Sequence, residues 1–497
     1  GTAQDDTFRA VQDASFNDGD VLDGLGGTDV LTTNQTVASS NSSVGATTDN
    51  IEQVFLTASF ENDGEDFTLD ADNMVGVEQL WNARSSNTTD DANDESVIFD
   101  NVSLDTTIGL RDTGVATVVK FDSVTGDADT ANFVLDGVAA ETAGTSGNND
   151  GQASALTADD VETFDITTTG DASALGSLLG DSVETVNVSG DADLKVSAIS
   201  DSITSVDAGA LEGALDITAT STDITITGTA QDDTFRFGGN LDSDDTVVGG
   251  EGRDTLATDS DNATSGAFTN VSGIEVLSVA DDSDATVDVT DLGDDFEEVS
   301  FSLTDNSAAG TDNDRNVTVD GLASGNVVNV TSANLANAGS TALNALGTTT
   351  LNLEDASGTD DALTLALENN NTDSDLQDVV DDFASQGTFT TATVDVAGVE
   401  TFTVDSTGAL GANAITNLTA DDATTINITG DQDVTVGSTS TGEGLSTANL
   451  SAGDTVTVDA SDAGGKVGIG TADEDRDHNI TGSAQNDAIT FTGNQFD

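Results

Sequence analysis

The chain has 497 residues and carries 93 Asp and Glu against 10 Lys and Arg, for a formal net charge of −83, with 51 Gly, one His and no Cys, Pro or Tyr. That charge excludes nucleic acid and anionic membrane as electrostatic partners. The missing Cys excludes disulfides, thiolate metal sites and a Cys nucleophile, and a single His leaves little for His-based zinc or catalysis.

At 35% hydrophobic the composition borders on disorder. Its apolar residues alternate in short runs, however, and its acids gather between those runs beside Gly and Asn. Such a chain can bury a thin core if its acids are neutralised. Hard divalent cations prefer oxygen ligands and would do so; the competing reading is a halophile-like acidic surface that holds water and monovalent salt. No apolar run approaches the ~18 residues of a membrane span. With no initiator Met and no signal peptide, the sequence reads as a processed chain or an excised part of a longer one.

Residues 1–8 read GTAQDDTF, an octapeptide that returns unchanged at 228–235 and as GSAQNDAI at 482–489. This predicts module 1 over 1–227, module 2 over 228–481 and the start of a third repeat over 482–497. The first octapeptide is followed by Gly24-Leu25-Gly26-Gly27-Thr28-Asp29-Val30-Leu31. A strand signature comes next: apolar–Glu–x–apolar–x–apolar at Ile51-Glu52, Val161-Glu162, Val183-Glu184 and Ile274-Glu275, with related strands near Val77, Ile203 and Phe296. Neighbouring members lie roughly 20–26 residues apart, a spacing that signals a solenoid in which each repeat covers its neighbour. The strands alternate, so one face is buried and the other carries Thr, Asn and Asp. The expected fold is all-β: parallel β-solenoid or β-roll modules with Gly/Asp-rich loops and few short helices. An immunoglobulin-like sandwich array is the structural alternative.

Trp81 follows the Val77 strand and reads as core or interface. Asp191-x-Asp193 follows a strand and a Gly, and recurs as Asp431-x-Asp433; either pair could place two carboxylates on one ion, or could be an ordinary polar turn. The pairs Asp159-Asp160 and Asp421-Asp422 are weaker versions. In module 2, Gly249-Gly250-Glu251-Gly252-Arg253-Asp254-Thr255-Leu256 has the form G-G-x-G-x-D-x-U, the nonapeptide of calcium-binding β-rolls. The glycines turn the loop tightly and aim carbonyl oxygens inward, the Asp supplies a carboxylate, and the large apolar residue enters the core. Its partner loop is the octapeptide with Asp233 and Phe235. Module 1 repeats the arrangement with Asp6, Phe8, Gly24, Gly27 and Asp29, and Asp487 opens the third copy. Asp20 and Asp245 precede the two Gly-rich turns and are candidate further ligands. Arg9, Arg236 and Arg253 read as local charge compensation or as contacts to an acidic neighbouring subunit, and His478 as a solvated loop residue. Leu376, Val379, Val380 and Phe383 fall at helical spacing and predict a short surface helix.

GTAQDDTF…GDVLDGLGGTDVL and GTAQDDTF…DDTVVGGEGRDTL, each followed by an Ile-Glu strand, resemble the RTX (hemolysin-type) calcium-binding repeats of bacterial surface-layer proteins of the Caulobacter type. The resemblance implies Ca²⁺ as the cofactor and export by a type I system. The chain is more acidic than that family and shows no counterpart of its N-terminal anchoring domain. These readings together predict an extracellular, cell-surface structural protein, not an enzyme, that binds calcium and assembles with itself into a layer or filament without entering a membrane. Any attachment to a cell-surface polysaccharide would fall to regions outside this chain. A calcium-stiffened stalk of an adhesin or biofilm-matrix protein is the alternative. An exported hydrolase with a β-roll tail would need a catalytic constellation that one His does not supply.

Overall fold

A computed structural model describes residues 1–491 apart from 13–14, 39–41, 63, 88–94, 127, 140–153, 281–283, 305–314, 334–344, 371–387, 410, 438–443, 451–453 and 472–476. The predicted helix at 376–383 lies outside the described residues. The described chain is almost entirely β, with a single 3-10 turn at Ser265–Phe268 among the described residues. It divides into two compact units, the first comprising 1–240 with 244–254 and the second 241–243 with 255–497.

In the first unit one parallel sheet takes strands from successive coils in chain order. It runs from Thr7–Ala10 through Val30–Val37, Gln53–Phe60, Gln79–Ala83, Thr107–Arg111, Thr130–Asp136, Thr163–Thr168, Thr185–Gly190, Ser205–Leu211 and Thr225–Thr227 to Thr246–Val248. Between those strands the chain crosses into other parallel sheets, among them a six-stranded one from Ser42–Val44 to Ser177–Leu179. Each coil therefore hydrogen-bonds to the coils before and after it, which is the architecture of a β-solenoid. Strand alternation sets the core. Leu31, Val54, Leu80, Ile108, Phe133, Ile166 and Val188 stack in register, one per coil, and all are buried.

The second unit is built the same way. Leu256, Leu277, Val299, Val328, Leu365, Val404 and Ile428 form its in-register column, and each is buried. A second parallel sheet runs from Ala285–Asp288 through Arg315–Leu322, Ala345–Leu353, Phe389–Ala397 and Asn413–Ala420.

The apolar–Glu signature is a corner. The carbonyl of Glu52 accepts two successive N–H groups from the next coil, Glu78 and Gln79, each at 2.9 Å. Glu162 does the same for Glu184 and Thr185, Glu275 for Glu297 and Glu298, and Glu400 for Thr424 and Thr425. Two donors on one acceptor act as a bulge, which puts the preceding apolar residue indoors as well. Ile51, Val161, Val183, Ile274 and Val399 are all buried.

Candidate metal-binding loops

The nonapeptide of module 2 stacks on the octapeptide coil in an interlocked pair. Gly228 N–H donates to the Val248 carbonyl at 2.8 Å. Arg253 N–H donates to Asp232 Oδ1 and Asp233 N–H to Asp254 Oδ1, both at 2.8 Å. Gly250 and Gly252 take φ near +128°, and a Cβ on Gly250 would lie 1.9 Å from the Thr229 carbonyl oxygen. The Gly249 carbonyl points back at Gly228, 2.3 Å from where a Cβ would sit. These positions admit only glycine, because the two backbones approach too closely for a side chain. Asp233, Asp245 and Asp254 are at most 2% exposed. Asp233 accepts from Leu215 N–H (2.7 Å), Thr229 N–H (2.6 Å) and the Thr229 hydroxyl (3.0 Å). Burial nonetheless holds its carboxyl above the usual carboxylate range, outweighing those backbone donors. Asp245 Oδ1 accepts from Ile224 N–H at 3.0 Å.

Module 1 repeats the interlock. Thr28 N–H donates to Asp5 Oδ1 at 2.9 Å and Asp6 N–H to Asp29 Oδ1 at 2.6 Å, while Thr2 N–H donates to Asp6 Oδ2. Asp29 N–H in turn donates to Glu52 Oε2 at 2.6 Å. Asp6, Asp29 and Glu52 thus climb one corner of three successive coils. Asp29 is fully buried, and its Oδ2 has no hydrogen-bond partner. A Cβ on Gly24 would stand 2.1 Å from that oxygen and 1.9 Å from the Asn50 carbonyl. Gly27 has φ +126°, and Leu25, in the place of Gly250, is left-handed at φ +71°. Asp20 differs from Asp245: it accepts from Asn17 N–H at 2.9 Å within its own turn.

The third octapeptide folds as the second does. Asp487 Oδ1 accepts from the Ser483 hydroxyl at 2.7 Å and Val467 N–H at 2.9 Å. Those donors hold its carboxyl below the usual range, the Ser483 hydroxyl most strongly, because Asp487 is less buried than Asp233. In the two D-x-D turns Asp193 accepts from Ala214 N–H at 2.9 Å and Asp433 from Lys466 N–H at 2.7 Å, and all four carboxylates, Asp191 and Asp431 included, stand exposed. Asp421 and Asp422 also accept backbone N–H groups, from Ala448 and Gly398. Arg236 pairs with Asp216 at 2.9 Å rather than with an acid of the Gly-rich loops. His478 lies in the strand Asp477–Thr481, not in a loop, because its backbone pairs in register with Val456.

Sequence reading missed the partner acids. Asp29–Glu52 has two counterparts among the described residues. Asp129 N–H donates to Glu162 Oε2 at 2.8 Å and Asp361 N–H to Glu400 Oε2 at 2.9 Å. In all three the Asp Oδ2 is out of solvent and without a hydrogen-bond partner. The Glu of the strand signature was visible; that a coil below it would set an Asp beneath it was not.

No family model and no curated protein matches the chain.

A buried carboxylate oxygen with no partner is costly unless a cation neutralises it. The ion pairs found among the described residues, Arg84–Asp112, Arg111–Asp136, Lys195–Asp216 and Arg236–Asp216, leave these rungs untouched. The donors at the corner are carboxylates and glycine carbonyls, an oxygen-only set that fits a hard divalent cation. Asp6, Asp29, Glu52 and the Gly24 carbonyl would hold one in module 1. The matching residues of module 2 within the first unit are Asp233, Asp254 and the Gly249 carbonyl.

Proposed function

We propose that the chain is a calcium-stabilised structural protein of the cell exterior that assembles with itself into a surface layer or filament. The observation that carries the reading is the buried, unpartnered Asp29 Oδ2 in a Gly-rich corner whose neighbours are again acids. An ion bound there links coils that otherwise repel. Binding to the folded state alone adds RT ln(1 + [L]/Kd), about 2.7 kcal/mol per site when calcium is 100 times Kd. Without calcium the acids oppose folding, which suits a chain that must remain unfolded during export. The outer faces carry acids in register as well, such as Asp165 and Asp207 on either side of Asn187. Divalent ions bridging such rows would join copies that monovalent salt only screens.

The test is circular dichroism and thermal melting in millimolar calcium and in chelator, with Asp29→Asn beside the wild type. Calcium should raise the β signal and the Tm, and Asp29→Asn should blunt the rise. An unchanged Tm would leave the halophile-like surface as the better reading. Light scattering and negative-stain microscopy test assembly: sheets or filaments should form in calcium and dissolve in chelator. A protein that stays monomeric in calcium would favour the stalk.

A further inference from the structure

Outside the Gly-rich loops and the Asp–Glu rungs, the described residues of the first unit bury two more carboxylates, Glu65 and Glu95, which are 3% and 2% exposed. Each immediately precedes a strand, Asp66–Asp70 and Ser96–Val102, and those strands pair in parallel with Asp66 opposite Ser96. Glu65 and Glu95 therefore occupy equivalent positions on adjacent coils. Burial alternates through both segments, with Glu65 and Phe67 inside in one and Glu95 and Val97 inside in the other, so both carboxylates face the interior. Strands so paired lie about 4.8 Å apart. Val115 occupies the same position one coil further on and is also buried, so the pair is covered by an apolar residue on that side.

Each glutamate is held by an asparagine. Asn62 Nδ2 donates to Glu65 Oε1 at 2.9 Å, and Asn87 Nδ2 donates to Glu95 Oε2 at 2.7 Å. Glu65 Oε2 remains, sealed from solvent and without a hydrogen-bond partner. None of the ion pairs among the described residues involves Glu65. Two stacked carboxylates out of solvent repel, and the amide donor on Glu65 does not cancel its charge.

We propose that Glu65 and Glu95, oriented by Asn62 and Asn87, hold a hard divalent cation inside the solenoid, at a site separate from the Gly-rich loops. The donors are all oxygen, which selects a hard cation over softer metals, and calcium's flexible geometry suits two carboxylates offered from adjacent coils better than the near-ideal octahedron magnesium demands. The ion would sit between two adjacent coils of one sheet, with no loop motif to announce it.

The experiment counts calcium bound per chain by elemental analysis after equilibrium dialysis. The samples are the wild type, Glu65→Gln, Asp29→Asn and the double variant Glu65→Met/Glu95→Met. Glu65→Gln should bind one ion fewer than wild type, and Asp29→Asn should lose a different one, so combining the two loses both. The Met pair replaces the carboxylates with apolar groups of similar volume and folds without the ion. It should bind one ion fewer and melt higher than wild type in chelator. A wild-type count in both Glu65→Gln and the Met pair would overturn the proposal and assign the pair a shared proton. That outcome is separate from the loop reading, whose failure would appear as an unchanged count in Asp29→Asn.

Discussion

Leu25 shows how little a single residue is free to vary in these loops. It holds φ +71° and is 59% exposed, where module 2 has Gly250 at φ +128°. A left-handed leucine carries about 1–2 kcal/mol of strain, and the exposed side chain returns little of it. Glycine gives back part of the gain through the flexibility of the unfolded chain. Leu25→Gly should therefore stabilise the protein by a net ~0.5–1 kcal/mol, raising the Tm in calcium. A fall in Tm would mean that the leucine packs against something its exposure does not reveal. The reverse exchange, Gly250→Leu, should be damaging, because its Cβ would meet the Thr229 carbonyl oxygen at 1.9 Å.

Among the elements, the row Phe55–Trp81–Gly109 crosses three strands on the face opposite the core column. Trp81 stacks on Phe55 with ring centroids 5.6 Å apart, and Arg111, bound to Asp136 at 2.6 Å, lies 4.6 Å from the indole. The indole occupies the space above Gly109, so a Cβ there would fall 2.2 Å from it. Gly109→Ala should displace Trp81, cost ~1–3 kcal/mol and shift the emission of the chain's one tryptophan to the red. An unmoved spectrum would show that the ring has room elsewhere. The alternation of these strands and their Ile-Glu corners could be read from the sequence, because both are patterns within one coil. The Asp–Glu rungs could not, since Asp361 and Glu400 meet only after the chain has gone round once more. Nor could Glu65 and Glu95, whose Asn- and Asp-rich surroundings look like solvated turn until the strands pair. His478 was misread for the same reason: its neighbours are polar, and its strand is defined by a partner coil.

At the scale of the molecule, the charge of −83 separates two effects that composition alone merges. Screening acts on exposed acids and grows smoothly with any salt, whereas on the proposed reading the buried oxygens of Asp29 and Glu65 are neutralised only by an ion in contact. In chelator, molar NaCl should therefore raise the Tm only gradually. Millimolar calcium should raise it further and saturate. If NaCl alone reproduced the calcium Tm, the protein would be an acidic surface without sites.

The corner in which one carbonyl takes two N–H groups has a genetic consequence. The chain from Glu162 to Glu184 is much shorter than that from Asp361 to Glu400, yet each passage ends with the same doubled acceptance and the next apolar side chain indoors. Phase is reset at these corners, so whole codons inserted between them lengthen one coil and leave the register of the next intact, while a single codon lost inside a strand turns the core residues beyond it out to water.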